Sequence, residues 1–344
     1  MTAKTVPGIA VVICAYTDRR WDDLVAAYRS VLGQTPVADE VVVVIDHNPE
    51  LMRRFADSFP DATVVANDRP AGLSGARNTG IAVTVSDVVL FLDDDARADA
   101  GWISALTAPF ADPSVQGVAG WAEPAWGDAG QPGWFPDPFL WVVGCSYQGL
   151  PTTVSDVRNP LGCAMGFRRS AIESVGGFSG SVGRVGTHPV GCEETEFSIR
   201  LRQLDPSARI VMVPQAVVHH RVSDDRRSVG YYLRRCYWEG VSKAVVSAAV
   251  GTEDGLESER AYATRVLPAA VLNGLGDTLR GRLSGLGRAV AVVAGLAATS
   301  LGFVRGRLSG TTTTERPAAP VRIRTRPTVD AETGVDAETR VDAA

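Results

Sequence analysis

Residues 88–95 read Val-Val-Leu-Phe-Leu-Asp-Asp-Asp, five apolar residues that stop at three acids. A short apolar run without polar alternation is the pattern of a strand covered on both faces. Working back from it, Ser74–Val83 reads as a helix, Ala62–Ala66 as a short strand and Leu51–Phe59 as a helix closed by Pro60. Before these, Glu40–Ile45 (EVVVVI) is a second buried strand, ending at Asp46. Trp21, Leu24, Val25, Tyr28, Val31 and Leu32 recur at helical spacing and stop at Gly33. Ile9–Ile13, bounded by Pro7-Gly8, is the first strand. Strand and helix alternate four times in about 95 residues, which predicts an α/β fold with a parallel sheet and helices on both faces.

The composition agrees with a folded enzyme-like head. The chain has 344 residues, 45% hydrophobic and 21% charged, enough for one large domain or two small ones. Cys14, Cys145, Cys163, Cys192 and Cys236 are scattered and never spaced as CxxC, which argues against a disulfide framework or a structural zinc site. A net charge of −5 argues against a nucleic-acid binder.

In such sheets ligands bind at the carboxyl ends of the strands. Tyr16 follows the first strand, Asp46 the second, and Asp93, Asp94 and Asp95 the fourth. Three adjacent carboxylates repel one another unless a cation sits among them. Oxygen ligands of this kind suit a hard divalent ion, Mg2+ or Mn2+. The alternative, one Asp capping a helix and two in solvent, gives two of the carboxylates no role.

The series VVICAYT, VVVVID, RPAGLSGARNTGI and LFLDDD, in this order, resembles the inverting glycosyltransferases of family 2, over roughly residues 7–225. The resemblance implies a GT-A fold: a mostly parallel central sheet with flanking helices, a nucleotide-binding half at about 7–100 and an acceptor half at about 101–225. It implies that Tyr16 stacks on the donor's base and that Asp46 hydrogen-bonds it. It puts Arg77 in the nucleotide pocket, Asp93 near the ribose and metal, and Asp95 on the metal. Read without it, Tyr16 is equally a rim aromatic, Asp46 a cap residue and Arg77 a helix-surface residue.

Downstream, Gly162–Phe167 reads as a small-residue strand leading into a short helix that stops at Gly176-Gly177. A helix then opens on Glu193-Glu194-Thr195-Glu196, where acids also favour the macrodipole. The family usually has Glu-Asp here, with the Asp as catalytic base; Glu194 takes that position, with Glu193 and Glu196 as substitutes. Val211–Val218 is another strand, followed by His219-His220; neighbours on a strand face opposite ways, so at most one faces the site. The family's spacing from Pro214 selects His220 as a ligand of the metal or diphosphate. The implied reaction is a single displacement with inversion. A carboxylate takes the acceptor hydroxyl's proton as the oxygen attacks the anomeric carbon. The donor is a nucleoside-diphosphate sugar, most often of UDP in this family, with GDP and dTDP open.

Two rival readings carry less. A nucleotidyltransferase wants a Gly- and Lys/Arg-rich loop after the first strand, whereas CAYTDRRWDD is rich in acids. A non-catalytic sugar-nucleotide binder would be expected to lack a metal acid or the base.

Trp121, Trp126, Trp134, Phe135, Phe139, Trp141 and Tyr147 crowd between the halves. They read as core, as sugar-stacking platforms or as the entry for a lipid-linked acceptor. The run WFPDPFLWVVGCSY resembles the glucosyl-dolichyl phosphate glucuronosyltransferase branch of the family. That branch implies a polyprenyl-phosphate-linked or other membrane-presented glycan as acceptor. Residues 226–310 read as a helical segment. Within it, residues 265–310 hold six arginines against one acid, Asp277. Its uncharged stretch, Ala289–Val304, would rise only ~24 Å as a helix, short of a ~30 Å hydrocarbon core. A helix lying on the membrane, or packed on the head, is thus as good a reading as a span. No secretion signal is legible near Ile9–Ala15, so the expected location is the cytoplasmic face of the membrane. The near-repeat VDAETG-VDAETR-VDAA predicts a disordered tail over 311–344.

Overall fold

The computed structural model describes residues 7–180, 192–251 and 262–309; the expected tail at 311–344 lies outside them. The first half is the alternation read above: β1 (Ile9–Ala15), α1 (Trp21–Leu32), β2 (Glu40–Ile45), α2 (Pro49–Ser58), β3 (Thr63–Ala66), α3 (Leu73–Val83) and β4 (Val88–Asp93). β5 (Ala96–Ala98), α4 (Trp102–Thr107), β6 (Val115–Ala125) and β7 (Ser155–Asp156) follow. The second half continues with β8 (Ala164–Arg168), α5 (Arg169–Val175), α6 (Glu193–Leu204) and β9 (Arg209–Arg221). Three long helices close the described chain: α7 (Val229–Val250), α8 (Leu267–Leu279) and α9 (Ser284–Leu308).

One sheet runs β3-β2-β1-β4-β8-β6-β9-β5, with β7 also paired to β9. Its first four strands are all parallel, with Val11 against Val41 and Leu90. At β8 the direction reverses: β8 is antiparallel to both β4 and β6, while β6 and β9 run parallel. The expected mostly parallel sheet is therefore parallel over β1–β4 and mixed over the strands that follow.

Alternation along each strand feeds two cores. Val11, Ile13, Val43, Leu90 and Leu92 meet Leu24, Phe55 and Trp102 on one face. Val12, Val42, Val44, Val89 and Phe91 meet Ala76, Ile81, Ile172 and Phe197 on the other. This is the arrangement that buries β-branched runs on both sides. A third cluster joins Trp126, Phe135 and Phe139 to Tyr232, Cys236, Ala291 and Val292. The Tyr232 hydroxyl donates to the Ala291 carbonyl at 2.8 Å. Much of the aromatic stretch is therefore core between the head and the C-terminal helices.

Candidate active site

Asp93 is the last residue of β4, where the parallel half of the sheet opens. Three residues later β5 begins and pairs with β9, and Ala96 stands opposite His220. That register brings the imidazole to Asp95, with Nε2 3.2 Å from Oδ1. Gly144 makes room for the ring: its φ is +81°, and a Cβ there would come within 2.9 Å of the imidazole. His219 points the other way and meets Asp99 at 3.0 Å at the sheet edge.

Asp93, Asp95 and His220 each offer a ligand atom, and these atoms lie within 4.8 Å of one another. Positive groups crowd around them. Arg20 Nη1 is 2.8 Å from Asp94 Oδ1 and 2.9 Å from Asp95 Oδ2, and Arg226 Nη2 is 3.8 Å from the same Asp95 oxygen. The buried Asp94 Oδ2 has no hydrogen-bond partner among the described residues. Burial would raise the Asp95 carboxyl, but His220, Arg20 and Arg226 hold it well below the usual carboxylate range. Burial, with the neighbouring Asp95 charge, pushes Asp94 up to about 7 despite Arg20. Burial opposes the charge on His220, yet Asp95 raises its pKa well above the ordinary value. A divalent ion at Asp95 would take the place of the His220 proton and leave a neutral imidazole able to ligate. Two carboxylates and an imidazole are a donor set for Mn2+ or Mg2+.

Arg77, on α3, is buried beneath this cluster. Its guanidinium lies 2.8 Å from Glu193 Oε1 and 3.5 Å from Asp93 Oδ1, and it donates to the Gly162 carbonyl at 3.0 Å. The structure thus brings Arg77 together with Asp93 and the start of α6, rather than with Tyr16 and Asp46. Asp46 accepts from the Gly72 amide at 2.9 Å and from Asn67 Nδ2 at 2.6 Å, fixing the turn before α3. Tyr16 is 44% exposed, and the Arg20 guanidinium lies 5.6 Å from its ring centre. Arg20 therefore links the two groups of expected site residues.

The three glutamates of α6 have different partners. Glu193 is tied to Arg77. Glu196 binds Arg200 at 2.8 Å, and Arg200 also caps the Val175 and Gly177 carbonyls. Glu194 is half-buried and has no ion-pair partner among the described residues. Burial, reinforced by the charge of Glu193, pushes its carboxyl up to about 8. The helix begins at Cys192, in the left-handed region at φ 78°, whose Sγ donates to Glu239 Oε1 at 3.4 Å. Glu239 is in turn held by Arg235 at 2.8 Å and Lys243 at 3.3 Å.

Arg20 and Arg226 escaped the reading of the sequence. Arg20 sits in CAYTDRRWDD, read there as an acidic loop, and its partners lie 74 and 75 residues away. The one available signal was the need of three adjacent carboxylates for nearby positive charge.

Residues 10–176 match the model of glycosyl transferase family 2. The chain is 30% identical over 306 residues to the glucosyl-dolichyl phosphate glucuronosyltransferase of Haloferax volcanii, covering 88% of this chain and 96% of that protein. Its structure is similar to that of a mannosyltransferase from Pyrobaculum calidifontis in complex with GDP-Man and Mn2+. That match has a TM-score of 0.52 at 19% identity, over 86% of this chain and 88% of the other. It also resembles GalNAc-T7, solved with UDP, GalNAc and Mn2+. There the TM-score is 0.50 at 17% identity, over 72% of this chain and about half (51%) of the other. These two likenesses establish the GT-A fold. Glu194 and His220 lie beyond the matched family segment, whereas Asp46, Arg77, Asp93 and Asp95 lie within it. By its length-spanning relative, its family segment and its fold, the chain belongs to glycosyl transferase family 2 and is a glycosyltransferase.

Proposed function

We propose that this glycosyltransferase moves a sugar, with inversion, from a nucleoside-diphosphate donor to a hydroxyl of a polyprenyl-phosphate-linked saccharide at the cytoplasmic face of the membrane. The observation that carries the reading is the contrast within one site. Asp93, Asp95 and His220 converge under positive charge, and Glu194, one residue from the Arg77–Glu193 tie to Asp93, keeps a carboxyl without an ion-pair partner among the described residues. The names of the relatives support the substrate classes: one acts on a dolichyl-phosphate-linked sugar, and the two solved proteins hold a UDP or GDP compound with Mn2+.

Tyr16 offers an exposed face for the base beside the turn that Asp46 holds. Asp93, Asp95 and His220 would hold the divalent ion, which supplies Lewis-acid stabilisation of the departing diphosphate. Arg20 and Arg226 stand at the same carboxylate, where their charge favours an anionic leaving group. Glu194 accepts the proton of the attacking hydroxyl as the new C–O bond forms and the bond to the diphosphate breaks. The environment that raises its pKa also makes it a stronger base once ionised. A single displacement needs no protein nucleophile.

The test supplies the full chain with labelled UDP- and GDP-sugars, Mn2+ and a polyprenyl-phosphate-linked saccharide. The expected result is label in the organic-extractable lipid, with the anomeric configuration inverted. Retention of configuration, or label reaching only water, would overturn this reading.

A further inference from the structure

Among the described residues eighteen large apolar side chains are exposed, and eleven of them lie between Leu272 and Leu308. Scattered exposed apolar residues are ordinary, but such a concentration marks an interaction surface. On α9, Leu286, Val290, Val293, Leu301, Val304 and Leu308 recur at helical steps, with exposed Ala297 filling the gap, so they form one stripe.

The opposite face of α9 is held against the protein. A Cβ at Gly302 would strike the Tyr237 carbonyl, and one at Gly240 would strike the Thr299 carbonyl, so the α7 and α9 backbones meet directly. α7 carries Arg234, Arg235, Glu239 and Lys243, among them the Arg235–Glu239–Lys243 ion pairs. α9 is the one described helix long and apolar enough to cross a membrane. To do so it would have to separate from α7 or carry those charges into hydrocarbon, and both are costly.

The turn from α8 to α9 presents Leu279 and Leu283, 90% and 80% exposed. Between them Arg280 and Arg282, more than two-thirds exposed, are only loosely paired to Asp277, at 3.8 and 3.5 Å. Leu308 ends the other tip beside Arg305 and Arg307. We infer that α8 and α9 form a docking surface that lies in the plane of an anionic bilayer. The apolar stripe sits at the headgroup–acyl boundary, and the arginines at both tips meet lipid phosphates. Arginine suits this position because its stem is apolar and its head forks onto phosphate. The docking stands on the stripe and its charge; its use, to hold the site where a lipid-linked acceptor is presented, rests on the proposed function.

Sedimentation of the full chain with vesicles tests it, using phosphatidylcholine alone and phosphatidylcholine with phosphatidylglycerol. Binding is expected to the mixed vesicles, weakened by salt, and at least tenfold weaker for the double variant Leu279→Asp/Leu283→Asp at unchanged melting temperature. Wild-type protein that ignores the mixed vesicles, or a variant that binds them equally, overturns the inference. Ser284→Cys and Ser309→Cys, each probed with an impermeant maleimide after the protein is added to vesicles from outside, should both react beyond the parent chain. Protection of one end alone would mean a span and also overturn it. Nucleotide binding is read separately, so either this surface or the proposed reaction can fail without the other.

Discussion

Two acidic clusters meet at the Arg77 side chain, and their carboxylates are partnered in different ways. At 93–95 three carboxylates follow a strand, and cations from distant parts of the chain gather on them: Arg20 from the loop before α1, His220 from β9 and Arg226 beyond it. At 193–196 three glutamates open a helix, and two of them pair with Arg77 and Arg200. The first arrangement packs three carboxylates and several cations into one pocket. The second leaves one carboxyl, Glu194, whose nearest strong influence is another negative charge, Glu193. The number of acids is equal; in the proposed reaction their partners decide which cluster holds a cation and which takes up a proton.

The largest test of that contrast is Glu194→Gln. It should lower kcat by roughly 10²–10⁴-fold, measured as sugar transfer under saturating donor. A smaller but still large effect is expected from Arg77→Met, which strands Glu193 as a buried, unpaired charge. Urea unfolding should show a loss of about 3–5 kcal/mol, and an unchanged midpoint would break the account of Arg77 as the tie between the clusters. The pH profile comes next. As the proposed base, Glu194 works in its ionised form, and burial beside Glu193 raises its pKa to about 8. So kcat/KM, which reports the free enzyme, should rise with pH, level off above about 8, and fall about tenfold for each unit below. A profile flat from pH 6 to 8 would contradict the assignment of Glu194. The smallest effect belongs to Glu196→Gln, which weakens the pair with half-exposed Arg200. It should cost about 1 kcal/mol of stability and leave transfer within about twofold, sharpening the distinction from Glu194.

Most of the parallel half was legible because its signals are local. The apolar runs at 9–13, 40–45 and 88–92 and the helical spacing between them need no distant partner to be read. The antiparallel join was not, since β8 owes its direction to pairing with β4 and β6, and the three residues of β5 are too few to carry a pattern. β6 was hidden too, because its Gly, Pro and Glu residues interrupt the apolar pattern of a strand. In the candidate site, the carboxylates at 93–95 stand out at a strand end, and His220 was singled out by the family resemblance. Their electrostatic partners could not be named, as Arg20 reaches Asp94 across 74 residues. Only the family resemblance singled out Glu194 from Glu193 and Glu196 in the sequence; the pairing of the other two with Arg77 and Arg200 was not legible there.

The most direct measurement is calorimetric binding of UDP and GDP, with and without Mn2+, to wild type, Asp95→Ala and Glu194→Gln. The account predicts Mn2+-dependent binding of one nucleotide to wild type, abolished by Asp95→Ala and retained by Glu194→Gln although that variant no longer transfers sugar. Equal loss of binding in both variants, or binding indifferent to Mn2+ and to Asp95, would contradict the division of labour between the two clusters.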